Sequence, residues 1–385
     1  MGDERNLASR LISYDTSRPD GLAAATAFVK GWLESQGIDV AERDHRGMPV
    51  ITADVGRAGG PVVVLHGHLD VVPGQEGQFS PRVEGDRLIG RGAYDMKGGL
   101  AAMLCALTDV DRDGGVRVRF VCAPDEESEE VDERSTDALV AEGALDADFA
   151  ITGEPTDLHV GVQAKGVLAM RVRVSGRAAH GSTPWLGDNA VLKAIDVFRA
   201  IESLPFSRES SELFDRPSIN LGRIAGGDAV NKVPDACEMV VDVRYLPGQD
   251  PGEILAQVRA IEDVEVIRTF TRPPANVSPA NPYVRALSEA ASRSVRGETM
   301  SVGRDGASDA VSFLQAGIPC VEFGPTGGGH HGPEEWVSVS SLADYRAALG
   351  LFLRALPEAL AREGGPPGGG SGDGPHLEAI EGGRP

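Results

Sequence analysis

Apolar and polar positions set out two textures along the chain. In the first, Leu7, Leu11 and Ile12 recur at helical spacing. A break is read at residues 16–21, and a second helix is predicted over 22–36, stopping at Gly37. Residues 62–65, Val-Val-Val-Leu after Gly59-Gly60-Pro61, form an unbroken apolar run, as in a strand covered on both faces. Residues 98–107 predict a helix of small side chains, and 116–123 predict a second strand that alternates and then turns apolar. Strands alternating with helices imply an α/β domain with a mostly parallel sheet.

From about Gly166 the texture changes. Residues 167–175 alternate, as in a strand with one buried face. A helix is predicted over 189–203, strands over 218–224 and 236–245, and a helix over 251–261. Strand, helix, strand, strand, helix, strand is the order of a ferredoxin-like α+β unit. The α/β texture resumes near residues 279–282, so the smaller unit reads as an insertion. The expected division is a discontinuous larger domain, 1–163 with 276–363, around an inserted domain, 164–275. Two domains suit 385 residues, since a single core stops growing at roughly 250–300. The Gly/Pro-rich end, 364–385, has too little apolar surface to fold and is expected to be disordered.

Composition narrows the function. A hydrophobic share of 41% and a charged share of 25% describe a soluble globular protein. No apolar run reaches the ~18 residues of a membrane span. The opening Met1-Gly2-Asp3-Glu4-Arg5 lacks an apolar signal core, so a cytoplasmic location is expected. Cys105, Cys122, Cys237 and Cys320 are widely spaced and read as buried free thiols. A net charge of −21 argues against a nucleic-acid partner. Lysine occurs only at Lys30, Lys97, Lys165, Lys193 and Lys232; high-salt adaptation and a GC-rich genome both account for that.

The candidate chemistry sits in five short segments, four of them just after predicted strands, where open α/β sheets build their sites. They are His66-Gly-His-Leu-Asp-Val-Val-Pro73, Gly90-Arg-Gly-Ala-Tyr-Asp-Met-Lys-Gly98, Ala123-Pro-Asp-Glu-Glu127, Gly153-Glu-Pro-Thr156 and Gly329-His-His-Gly-Pro-Glu-Glu-Trp336. Imidazole and carboxylate without thiolate suit catalytic rather than structural zinc. There is no G-x-S-x-G nucleophile elbow, which removes the common serine hydrolases of α/β scaffolds.

Taken in order, these motifs resemble those of the acetylornithine deacetylase, succinyl-diaminopimelate desuccinylase and carboxypeptidase G-type family of zinc metallopeptidases. The segment around His68 and Asp70 is similar to its His-x-Asp-Val-Val-Pro motif, and residues 91–98 to its Arg-Gly-x-x-Asp-Met-Lys-Gly motif. Glu126-Glu127 match its paired glutamates, Gly153-Glu154-Pro155 a further ligand segment, and His331 with Glu335 its His-x-x-x-Glu pattern. The resemblance implies two Zn2+, with Co2+ or Mn2+ as substitutes, and a water between them as nucleophile. His68, Asp95 and Glu154 would hold one zinc; Asp95, Glu127 and His331 would hold the other. Asp70 would receive the ring N–H of His68. Glu126 would be the general base, and His330 would be exposed or behind the ligands. A cis peptide is implied at Asp95–Met96.

In the small unit, residues 178–190 resemble the family's lid motif. His180 would then stabilise the oxyanion in a partner subunit, within a homodimer joined through the inserted domain. Asn231 and Arg244 match lid positions that meet substrate. The family often carries arginine two residues after the aspartate of Gly306-Ala-Ser-Asp-Ala-Val311; here that position is Val311, and Arg304 is the nearby candidate to grip a substrate carboxylate. The acidic stretch after Glu127 lacks a glycine common in the family. The implied activity is hydrolysis of a small N-acyl amino acid. An exopeptidase or dipeptidase is the near alternative, and a non-catalytic binding protein of the same fold the distant one.

Overall fold

A computed structural model describes residues 3–57, 59–127, 133–295, 297–306 and 309–362. The segment 364–385, expected to be disordered, and most of the acidic stretch after Glu127 lie outside the described residues.

The larger sheet has four parallel strands at its heart, in the spatial order Arg117–Ala123, Val62–His68, Phe149–Thr152 and Cys320–Glu322. The hairpin of Val40–His45 and Met48–Gly56 extends it antiparallel on one side. Val160–Ala164 extends it on the other, pairing with Ala275–Asn276 and with Ser301–Arg304. Successive strand residues point to opposite faces, and both faces are covered. Val63, Leu65, Phe120 and Phe149 join the core formed with helices Asp3–Ile12, Pro19–Ser35, Gly98–Thr108, Pro282–Ser294 and Val339–Arg362. Val64, Val121 and Ala150 join a second core with Leu139 and Phe313, from the short helices Ser135–Ala141 and Ala310–Gln315. The unbroken apolar run is thus a strand buried on two faces.

One boundary departs from the sequence reading. The second helix begins at Pro19, so Pro19-Asp20-Gly21 form its first turn instead of extending the break. Proline suits that position, where its missing N–H has no partner to lose.

The second sheet is antiparallel, in the order Ser218–Gly226, Ala236–Tyr245, Gly166–Ser175 and Val264–Arg272. Helices Ala190–Glu202 and Pro251–Arg259 cover one face, with Leu168, Met170, Val172, Met239, Val241, Ala194 and Ile254 in a core of their own. Strand and helix order follow the βαββαβ reading. The chain crosses between the sheets beside Ala164, which pairs with Ala275. A third sheet joins Arg82–Glu84, Arg87–Ile89, Trp336–Ser338 and Gly327–Gly328.

The four cysteines are buried free thiols. No described helix is long and apolar enough to cross a membrane. Phe149 stacks on Tyr283 at 5.3 Å between ring centroids and leans on Phe352 at 6.2 Å. Phe149→Ala is expected to lower stability by about 3–5 kcal/mol, measurable by chemical denaturation.

Candidate metal centre

The parallel strands end where the chemistry begins. His68 closes its strand, Asp125 to Glu127 follow Ala123, and Glu154 follows Thr152, so three carboxyl ends deliver groups to one crevice. The third sheet supplies the rest. It sets the turn after Ile89 beside the loop carrying His330 and His331, with Gly90 N donating to Glu335 O at 2.9 Å.

Asp95 lies at the centre. Its Oδ1 is 3.1 Å from His68 Nε2, which also faces Glu154 Oε1 at 3.8 Å. Its Oδ2 faces His331 Nε2 at 3.3 Å, and that nitrogen meets Glu127 Oε1 at 2.9 Å. The two oxygens of one carboxylate thus look toward two donor sets. His330 Nε2 also contacts Asp95 Oδ2, but of the two imidazoles His331 is the one bonded to Glu127.

Glu335 explains how Asp95 is held. Its carboxylate accepts the backbone N–H groups of Gly92, Tyr94 and Asp95, each at 3.0 Å, and Arg91 Nη1 at 2.9 Å. Gly92 is left-handed at φ 78°, and an added Cβ would meet Val71 and Lys97 under 3 Å away. The Asp95–Met96 peptide is cis. Met96 packs beneath the site, where Gly67 and Gly153 leave it room.

Asp70 differs in part from the sequence reading. His68 Nδ1 faces the Asp70 backbone oxygen at 3.0 Å and its carboxylate only at 3.5 Å. The carboxylate instead accepts the amides of Glu126 at 3.2 Å and Glu127 at 2.8 Å. A carboxylate two residues past His68 is within reach of the next strand's end, and its two oxygens serve both amides while one stays beside the ring nitrogen.

Crowded carboxylates perturb one another. Burial, then the Asp95 charge, push Glu154 well above the usual carboxylate range. Burial also pushes Glu126 up, to about 7, although Arg134 opposes it. Asp95 is held well below its usual range: burial works against ionisation, but His330, His331 and His68 outweigh it. Its bonds to Asp95 and Glu127 push His331 up to about 10.

The donor set fits a divalent cation. The ligand atoms of His68, Asp95 and Glu154 lie within 4.8 Å of one another. Glu154 Oε1 is buried with no hydrogen-bond partner among the described residues, and a cation would satisfy it.

The residues that the resemblance assigns to a lid make no hydrogen bond or ion pair with this cluster among the described residues. His180 is exposed; its Nδ1 bonds Ser182 Oγ at 2.7 Å. Asn231 is exposed beside it, its carbonyl accepting Gly181 N at 2.7 Å. Arg244 bonds Asp242 at 2.9 Å. Arg304 is already paired with Glu322 at 3.1 Å, which weakens its case as a free carboxylate grip. Val311 is buried against Ala164 and Ala275. Sequence reasoning missed the role of Glu335, and the half-buried Arg134 and buried Asp309 behind Glu126. An arginine seven residues past the glutamate pair gave no signal of its target.

A model of peptidase family M20/M25/M40 matches residues 64–356. A protein of Pyrobaculum aerophilum named as a LysW-lysine/LysW-ornithine hydrolase is 35% identical over 60% of this chain and 64% of its own length, so the match spans less than two thirds of that relative. One of Mycobacterium tuberculosis, named as a succinyl-diaminopimelate desuccinylase, is 32% identical over 76% of this chain and 82% of its own. An acetylornithine deacetylase of Proteus mirabilis is 32% identical over 66% and 69%. Among solved structures, an M20 family metallo-carboxypeptidase of Sulfolobus solfataricus superposes with a TM-score of 0.77 at 20% identity, covering 93% of this chain and 100% of its own.

Proposed function

Because the chain belongs to peptidase family M20/M25/M40, and so is a metal-dependent hydrolase of amide or peptide bonds, we propose that it removes the acyl group from a small N-acyl amino acid. The observation that carries the reading is Asp95, whose two oxygens face His68 and His331 separately. In this reading His68, Asp95 and Glu154 hold one Zn2+, and Asp95, Glu127 and His331 hold a second. Bound cations of this kind polarise a carbonyl and lower the pKa of water toward ~7. Glu126 takes the proton of the attacking water and hands it to the leaving amine. Its Oε1 is occupied by Arg134, so Oε2 is the oxygen presented to the water. Asp70 aligns the glutamate pair through the two backbone amides, leaving both carboxylates free to diverge.

Two of the relatives above 30% identity are named for removing a succinyl or an acetyl group, and this supports a deacylase ahead of a peptidase; the 35% identical one is named for hydrolysis of LysW-lysine or LysW-ornithine. The small unit, 164–275, acts as lid and dimer contact. Its edge strand Ser218–Gly226 has one unpaired side among the described residues. Trp185, Leu186 and Val230 are exposed at 73%, 62% and 107% near His180, and Leu192 on the adjoining helix at 60%. A twofold contact through this face would bury them and bring His180 to the partner's crevice.

The test is a hydrolysis screen of the Zn2+-loaded protein against N-acetyl amino acids, N-succinyl amino acids and dipeptides, with a chelator-treated control. Cleavage of an N-acyl amino acid, lost on chelation and restored by Zn2+, is the expected result. Faster cleavage of dipeptides would make the chain an exopeptidase. Equal cleavage after chelation, or none of any substrate, would overturn the reading. Metal analysis should give two ions per chain; a count of one would remove the second site.

A further inference from the structure

Glu126 is gripped from behind by a partly buried chain of charges that reaches the small sheet, with Asp309 its fully buried member. Arg134 Nη1 donates to Glu126 Oε1 at 2.7 Å and to Asp309 Oδ1 at 2.8 Å. Asp309 is fully buried; its Oδ2 accepts Thr136 Oγ1 at 2.7 Å and lies 3.4 Å from His66 Nε2. Arg272 Nη2 approaches Asp309 Oδ1 at 3.4 Å and donates to Ser312 Oγ at 3.1 Å. Arg272 is the last residue of the strand Val264–Arg272, the outer strand of the small sheet on that side. Residues 134, 272 and 309 come from three distant parts of the chain and meet only here.

Stability alone is a weak reason for such a chain. A buried ion pair costs desolvation that its attraction barely repays, and packed apolar residues of similar volume often do as well. What the chain does achieve is geometry. A carboxylate has two equivalent oxygens and a broad terminal torsion. Fixing Oε1 leaves one oxygen, in one direction, for a proton transfer that tolerates little misplacement. A planar guanidinium with several donors can grip two carboxylates at once, and an ammonium does so less well.

We infer that Arg134 is a positioning residue for Glu126, that Asp309 anchors Arg134, and that Arg272 ties this anchor to the small sheet. The inference rests on the assignment of Glu126 as the base. It concerns the aim of that carboxylate, not the holding of metal, since Arg134 and Asp309 contact none of His68, Asp95, Glu127, Glu154 or His331 among the described residues.

The experiment is a double-mutant cycle in the Zn2+-loaded full chain, using the most rapidly cleaved N-acetyl or N-succinyl amino acid of the screen. Arg134→Met should lower kcat by about 10–100-fold with little change in KM, since a misaimed base slows proton transfer and leaves substrate binding intact. Arg134→Lys should recover part of that loss, and Arg272→Met should show a smaller one. Zinc content, melting temperature and the absorption spectrum of the Co2+-substituted protein should match the parent. In the Glu126→Gln background, Arg134→Met should change the residual kcat by less than about twofold, because a residue acting through Glu126 has nothing left to act on. A further loss of the full 10–100-fold in that background would overturn the inference, as would zinc loss or an altered Co2+ spectrum in Arg134→Met. Should Arg134→Met fail to fold, Arg134→Lys carries the same cycle. A Glu126→Gln enzyme with parental kcat would instead overturn the assignment of the base.

Discussion

Glu126→Ala is expected to keep its metal and lose turnover by about 10²–10⁴-fold, the usual contribution of a positioned general base. Glu127→Ala, one residue away, should lose metal. The two side chains diverge from a common anchor: Asp70 accepts both backbone amides, Glu126 turns to Arg134, and Glu127 turns to His331. Removing Glu126 takes away a proton carrier and leaves the donor sets around Asp95 whole. Removing Glu127 breaks one of those sets and leaves Asp95 and His331 with a carboxylate missing. Metal analysis beside steady-state kinetics separates the cases. Equal metal content with equal loss of turnover in the two variants would abolish the division of roles.

His180→Ala is expected to lower kcat by about 10²–10³-fold, the typical cost of removing one oxyanion donor. In its own chain His180 is exposed and bonded to Ser182, not to the cluster around Asp95, and the proposed catalytic role places it in the site of a second subunit. Mixing His180→Ala with Glu126→Ala provides the measurement. Each homodimer should be nearly inactive. After subunit exchange, a mixed dimer has one site with both defects and one site with neither, so activity should return toward half the parental value per mixed dimer. If proven exchange restores nothing, His180 does not act across the dimer. Trp185→Asp or Leu192→Asp on the same exposed face should weaken the dimer, visible by analytical ultracentrifugation.

The α/β architecture and the cluster were legible because each rests on a local signal. A strand covered on both faces must be continuously apolar, and residues 62–65 announce it. His68, Glu126, Glu127 and Glu154 follow such strands directly, so topology alone brings them together once the sheet is parallel. The start of the second helix was misplaced because Pro and Gly read as breakers, yet proline in a first turn starts a helix. That Asp70 faces the His68 ring was legible, but not that its carboxylate also serves two amides on a neighbouring strand end. Glu335 was recognisable as part of a pattern but not as the support of Asp95, because backbone donors have no sequence signature. Asp309 and Arg272 were beyond reach for the same reason that makes them interesting. Their meeting is a product of tertiary packing: Asp309 sits in a recognisable segment that does not name its partner, and Arg272 sits in none.

The support that Glu335 gives to Asp95 spans 240 positions of the chain. A growing polypeptide presents its Asp95 loop long before the carboxylate that will hold it exists. At about 5–20 residues per second, the usual pace of synthesis, the interval is roughly 12–50 s. Before it ends His68, Asp95, Glu127 and Glu154 are on the nascent chain, while His331 and the brace behind it arrive only at its close. The cluster around Asp95 therefore closes late, when Trp336–Ser338 pairs with Arg87–Ile89, and a chain stopped short of residue 335 would carry most of the candidate ligands but not the brace that aims Asp95.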